Sequence, residues 1–193
     1  MAAFAQLGRA SATSATLHFA SDIVAQTVQN ATVDPSGGPR EYWERLSWSR
    51  VAKFTVVGAC AHGPYFLHAY RWLDRVVGQS TTTSRVILKT LVGQGTIFPA
   101  YLVVFFSLRT VLDGGGLAEI KDRMSQQYLS TYAAGCIVWP PANAFFFRFV
   151  PIQHRVLGAN IVGLGWQAFM SHQAAAHVKS RSSTGHVADS SNL

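Results

Sequence analysis

Along this chain the hydrophobic positions gather into long runs that lack Lys, Arg, Asp and Glu, and the charged positions gather between them. The runs 54–70, 90–108, 124–147 and 156–178 hold 17, 19, 24 and 23 residues without a charge. A helix needs about 20 mainly apolar residues to cross ~30 Å of hydrocarbon, so the pattern predicts membrane helices. A further stretch, Ala10 to Val33, is interrupted only by Asp22. Ser, Thr, Gln and Asn dilute it, so it can span only where other helices cover its polar face. Its Ala, Ser and Thr content and its scarcity of acids also resemble a mitochondrial presequence; a retained first helix is the preferred reading.

The runs and their borders predict an all-α integral membrane protein, a bundle of four to five proline-kinked transmembrane helices with an amphipathic interfacial helix. It forms one membrane domain over residues 1–178, with elements at about 10–33, 46–69, 86–112, 117–138 and 141–176, and a polar, disordered tail over 179–193. Residues 34–45 read as a polar connection of turn formers followed by charges. Trp48 and Trp72 suit the two interfaces of the second element, where Arg50 and Lys53 can snorkel toward headgroups. Gly114, Gly115 and Gly116 make a turn, with no Lys-Ser/Thr after them to suggest a phosphate loop. Beyond it, Leu117, Ile120, Met124 and Tyr128 recur at spacings of three and four, which marks the amphipathic helix.

Composition narrows the function classes. Only 13% of residues are charged, against 49% hydrophobic, well below the roughly one-quarter charged share of soluble domains. The net charge of +7 is best explained by lipid phosphates, because Arg71, Arg75, Arg85 and Lys89 cluster between two apolar runs; no basic stripe interleaved with aromatics points to nucleic acid. Lys and Arg divide 7 against 9 between alternate sides of five elements, too evenly to set orientation. Cys60 and Cys136 stand alone in different runs and read as small buried side chains. No catalytic, cofactor-binding or metal-ligating constellation is present: His62 and His68 lack an HExxH frame, and there is no GxSxG elbow, carboxylate pair or dinucleotide fingerprint. Asp22, Asp74 and Asp113 read as interfacial or ion-paired.

Proline carries the remaining signal. Pro64, Pro99, Pro140, Pro141 and Pro151 lie in or beside apolar segments. Each lacks an amide proton and restricts the residue before it. In WPPANAFFFRFVP, Trp139 to Pro151, the pattern predicts a break at Trp139–Pro140 and a second at Val150–Pro151. Such breaks serve either irregular packing or discontinuous helices around a solute path. Gln94, Asn143, Asn160 and Gln167 can bond neighbouring helices or a solute without the penalty of an unpaired ion. Arg148 and Arg155 either snorkel to one interface or form a cationic ring for anions. Ala59 with Gly63, and Ala159 with Gly163, have the small-xxx-small spacing of close helix packing.

Trp139-Pro140, Asn143, Phe147, Val150-Pro151, Arg155, Asn160, Trp166 and Ser171 together resemble the C-terminal signature of the Mpv-17/peroxisomal membrane protein family. Gly63-Pro64, Tyr70 and Leu73-Asp74 are similar to its second block, Lys89, Gln94, Pro99 and Phe105-Phe106 to its third, and Asp22 and Gln26 to the acid and amide of its first helix. The likeness covers about residues 15–175. Gly93 stands where the family usually has Asp, Phe146 where it has Asn, and His68 one position later than its histidine; the Trp, Tyr and Pro before the first helix are missing. The resemblance implies a small organellar protein of the mitochondrial inner membrane, or alternatively the peroxisomal membrane. It further implies a channel-like protein for passage of small metabolites and organelle homeostasis. The implied partners are the lipid bilayer, small metabolites including anions, and further copies of the chain; nucleic acid is not among them. A non-conducting membrane scaffold or interaction protein is the alternative.

Overall fold

The computed structural model describes residues 2–33 and 38–166; Gln167, Ser171, the end of the last expected element and the polar tail lie outside them. Every described element is helical: α1 Ala2–Val33, α2 Pro39–Glu44, α3 Trp48–Val57, α4 Gly63–Val76, α5 Thr83–Val92, α6 Phe98–Leu112, α7 Leu117–Phe149 and α8 over 152–166. The expected polar connection over 34–45 thus contains a short helix, opened by Pro39 in its first turn, where proline's missing amide costs nothing.

Two prolines act on the helices in the same way. Between α3 and α4 the chain widens into a π turn, Gly58–His62, and between α5 and α6 into another, Gly93–Ile97. Each turn begins at a glycine and ends two residues before a proline, Pro64 or Pro99. Proline cannot donate the i→i−4 bond and its ring crowds the carbonyl one turn back; the wider turn relieves both. Thr83–Leu112 therefore runs as one 30-residue helical segment, long and apolar enough to cross a membrane.

The WPP sequence behaves differently from expectation. No break occurs at Trp139–Pro140: α7 runs unbroken through Pro140 and Pro141, so the expected division at 138–141 is corrected to one at 150–151, between a helix over 117–149 and one that starts at 152. Tertiary packing overrides the local preference, because Trp139 is buried against the Phe98 ring. Gly135, one turn earlier, lies so close to the same ring that an added Cβ would meet it at 2.3 Å. The chain leaves helical geometry only at Val150, which is extended, and Pro151 precedes α8.

The apolar core encloses ions and amides, and the outside carries large apolar side chains. Asp22, Gln26, His62, Asp74, Lys89, Arg155 and Asn160 are buried, whereas Ile87, Leu91, Val103, Val111, Ile137 and Phe149 are exposed. Such an outer surface fits hydrocarbon as its solvent. α1 joins the bundle through small and polar side chains. Ala10, Ser14, Ser21, Asp22, Ala25 and Gln26 form its buried stripe, and Gly58 and Gly63 let the backbones meet: a Cβ at Gly63 would sit 2.5 Å from the Ala10 carbonyl oxygen. The expected Ala59–Gly63 pair is thereby replaced by Gly58–Gly63, since a π turn brings residues five apart onto one face. Cys60 and Cys136 are both exposed, which corrects their expected burial; they fall on the outward faces of their helices.

Candidate functional site: a central cavity and its ion clusters

One stripe of α6 lines a half-open cavity between the helices. Phe98, Tyr101, Leu102, Phe105, Phe106 and Arg109 follow the three-and-four spacing of a single helix face and all border a space of about 390 Å³. Arg123, Gln127, Thr131 and Trp139 of α7 face it at intervals of four or eight residues, and His18 and Ser21 of α1, His62 and Asn160 complete its polar lining. From Phe98 to Arg109 the helix rises about 16 Å at ~1.5 Å per residue.

The outer end of this cavity is cationic. Arg50, Arg109, Arg123 and Asp113 border it. Asp113 takes ion pairs from Lys53 at 2.9 Å and from Arg109 and Arg123 at 3.2 Å each. Partial burial opposes ionisation of Asp113, yet hydrogen bonds from Lys53, Arg109 and Arg123 and the Arg109 charge prevail and hold its carboxyl at about 2. Arg50 pairs with the buried Asp22 at 2.9 Å, so four cations face two carboxylates. Arg109 also lies over the Phe54 ring, 4.6 Å from its centroid, and its Nη1 is buried without a hydrogen-bond partner.

The inner end is aromatic, with two unpartnered nitrogens. His62 and Trp139 are 5% and 7% exposed. The His62 Nδ1 is 2.9 Å from the Tyr101 hydroxyl, while His62 Nε2 and Trp139 Nε1 have no partner. Trp166 meets Trp139 edge-on at 6.2 Å. Asn160 turns away in part, exchanging hydrogen bonds with Ser14 at 2.9 and 3.3 Å.

The residues singled out by the sequence are distributed around the cavity rather than gathered in it. Gln26 donates to Asp22 at 2.7 Å and accepts from the Ser47 amide at 2.8 Å; the acid and amide of α1 thus clamp the start of α3. Asp74 accepts from Lys89 at 2.6 Å and from Arg155 at 3.0 Å. Arg155 Nε also donates to the Val150 carbonyl at 3.0 Å, and the Phe147 ring lies under both cations. This corrects both expectations for Arg155, which neither snorkels nor lines a ring with free charge. Arg148 is exposed and bonds the Thr81 carbonyl; both arginines border a second, more open space of about 360 Å³ at Pro151. Tyr70 donates to Asn143 at 3.3 Å, Gln94 donates to Cys136 Sγ at 3.2 Å, and Tyr128 donates to the Pro99 carbonyl at 3.3 Å.

Sequence reasoning missed Arg109, Arg123 and Tyr101, read Arg50 and Lys53 only as snorkelling cations, and considered His62 only as a metal ligand. Arg109 carried a signal, since it continues the helical register of Phe98 and Phe105. Arg123 carried none, because nothing local shows that α7 aims it at α6.

Comparison with known proteins now adds to this geometry. The family model described as the Mpv17 / PMP22 family matches residues 110–171, which span the end of α6, α7 and α8. The mitochondrial inner membrane protein Mpv17 of Drosophila melanogaster is 30% identical over 123 residues, 63% of this chain and 73% of that protein. The chain belongs to the Mpv17/PMP22 family. PXMP2/4 family protein 4 of Dictyostelium discoideum is 26% identical over 165 residues, 86% of this chain and 84% of its own. Protein sym1 of Aspergillus oryzae is 27% identical over 162 residues, 84% of this chain and 87% of its own. With these family members the chain is placed in the mitochondrial inner membrane. No solved structure matches it.

Proposed function

We propose that this protein is a channel-like member of the family that gives small anionic metabolites a path through the inner membrane, with a single membrane domain of four or five spans. The observation that carries the reading is the central cavity, lined within by aromatic and neutral polar side chains and edged by Arg50, Arg109 and Arg123. Cations focused at the end of a low-dielectric space attract anions and raise their local concentration. The placement of charge along α5 and α6 supports a span: Lys89 and Arg109 are twenty residues apart, about 30 Å of helix, which matches the thickness of the hydrocarbon. α1 and α7 are more polar; the buried polar stripe of α1, with Ser14, Ser21, Asp22 and Gln26, suits a span shielded by neighbours. Pro64 and Pro99 act in this reading as widened turns in the cavity wall, and Pro151 as the hinge between α7 and α8. Catalysis has no part in the reading, and neither does a bound cofactor.

The test is anion-to-cation permeability of the purified protein in proteoliposomes. Wild type is expected to pass small organic anions in preference to cations, and Arg109→Gln with Arg123→Gln to reduce that preference. A wild type that passes no solute under any membrane potential would remove the channel and leave the scaffold.

A further inference from the structure

The two ends of the central cavity differ in what they leave unsatisfied, and this difference defines a ligand. At the outer end the buried Arg109 Nη1 has no partner, and a guanidinium recognises carboxylate oxygens with charge-assisted hydrogen bonds. At the inner end Trp139 Nε1, always a donor, and His62 Nε2 are both unpartnered on side chains more than nine-tenths buried. An unmade hydrogen bond of this kind is costly; the three atoms have no surface open to the cavity in this structure, so a ligand engages them through a small side-chain shift. Between the ends Leu102, Phe105 and Phe106 of α6 face Ser21 of α1 and Gln127 and Thr131 of α7, with no carboxylate or fixed cation to meet a second ion.

The length follows from the helix. Phe98 packs beside Trp139 at one level and Arg109 stands about 16 Å away along α6. Over that length a space of about 390 Å³ has room for a single extended chain. The inner polar group of such a ligand is a hydroxyl rather than a second carboxylate. A hydroxyl accepts from Trp139 and either donates to or accepts from His62, whichever tautomer the Tyr101 contact selects. A second carboxylate would be buried without a countercharge.

We propose that the cavity is a binding chamber for a medium-chain ω-hydroxy carboxylate. Its carboxylate sits at Arg109, its methylenes lie along α6 and its hydroxyl meets Trp139 and His62. The proposal rests on the reading of this cavity as the solute path and names the class of solute. Chain length then matters steeply: each buried methylene changes affinity about fourfold, so removing two carbons weakens binding by about an order of magnitude.

The test is equilibrium dialysis of 12-hydroxydodecanoate against the full chain in lipid nanodiscs, with protein-free nanodiscs subtracted. Saturable binding is expected, at least tenfold tighter than for neutral 1,12-dodecanediol, and at least tenfold weaker in Arg109→Gln. Dodecanoate, which lacks the hydroxyl, should bind severalfold more weakly than its hydroxylated counterpart. That gap should close in Trp139→Phe, which keeps a ring and removes the N–H. Arg148→Gln, outside the chamber, should bind as wild type. The ligand comparisons on wild type stand even where a variant fails to fold. Equal affinity for the acid and the diol, or unaltered affinity in a folded Arg109→Gln, overturns the proposal. Anion flux measured on the same preparation separates the two readings: flux without acid-selective binding sinks the chamber alone, and selective binding without flux sinks the passage alone.

Discussion

Asp74 shows how much one side chain can hold in a protein interior. It is the single carboxylate between the buried cations Lys89 and Arg155, and a buried ion pair that loses one partner leaves an uncompensated charge costing about 3–5 kcal/mol. Asp74→Asn should therefore destabilise the protein by at least that amount, read as a loss of monodisperse protein in detergent or a lowered unfolding temperature. Arg155→Gln should also destabilise, by about 2–4 kcal/mol, since it leaves Asp74 with one cation and the Val150 carbonyl without its side-chain donor. Arg148→Gln touches only an exposed contact, and its stability should stay within about 0.5 kcal/mol of wild type. The sequence offers these two arginines as equivalent neighbours of a Val-Pro step. They differ because α8 folds one of them back onto Asp74, a contact 81 residues away in the chain.

At the scale of elements, close backbone approach and charge clusters join the helices. Gly63→Ala would press a Cβ into the α1 backbone at Ala10, and overpacking of that kind costs about 1–3 kcal/mol. Gly95 has nothing within 4 Å of the same added atom, so Gly95→Ala should be neutral or stabilise by up to about 1 kcal/mol through helix propensity. Thermal unfolding of the two variants in one detergent checks the contrast, and equal losses would show that the α1–α4 contact is looser than described. The Asp113 cluster joins α3, α6 and α7 and is sensitive to pH. Its folded carboxyl stands at about 2, below its ordinary 3.8, so the ion pairs stabilise fully above the ordinary value. That stabilisation is lost as pH falls toward 2. Unfolding temperature should drop across this acid window, and the Asp113 contribution should vanish in Asp113→Asn; a variant that keeps the full wild-type profile would assign the drop to other carboxylates.

For the whole molecule, exposed Ile, Leu, Val and Phe side chains around a core that encloses ions and amides suit a surface that meets lipid. Alkaline carbonate extraction of mitochondria should leave nearly all of the folded protein in the membrane pellet. Release of most of it to the supernatant would contradict integral insertion. The internal ion pairs explain why net charge and composition say so much about the solvent of this protein and so little about its site. Charges that the bundle neutralises internally, such as Asp22 with Arg50, count in the net charge exactly as free ones do, and only the fold separates the two kinds.

The charge-free runs determined that the chain is helical and made for a membrane, because hydrocarbon demands internally satisfied backbone over long apolar stretches. The spacing of Trp, Pro, Asn, Val-Pro and Arg determined its family. The tertiary structure decided the rest. Proline's local cost is about 3 kcal/mol in a helix interior, a quantity that packing around Trp139 and Gly135 can offset, so sequence alone could not say that Pro140 and Pro141 stay within α7 while Pro151 ends it. The cavity is likewise a property of contact between distant segments. Arg109 and Trp139 lie 30 residues apart, on α6 and α7, and meet the same space only because a glycine turn folds one helix back along the other.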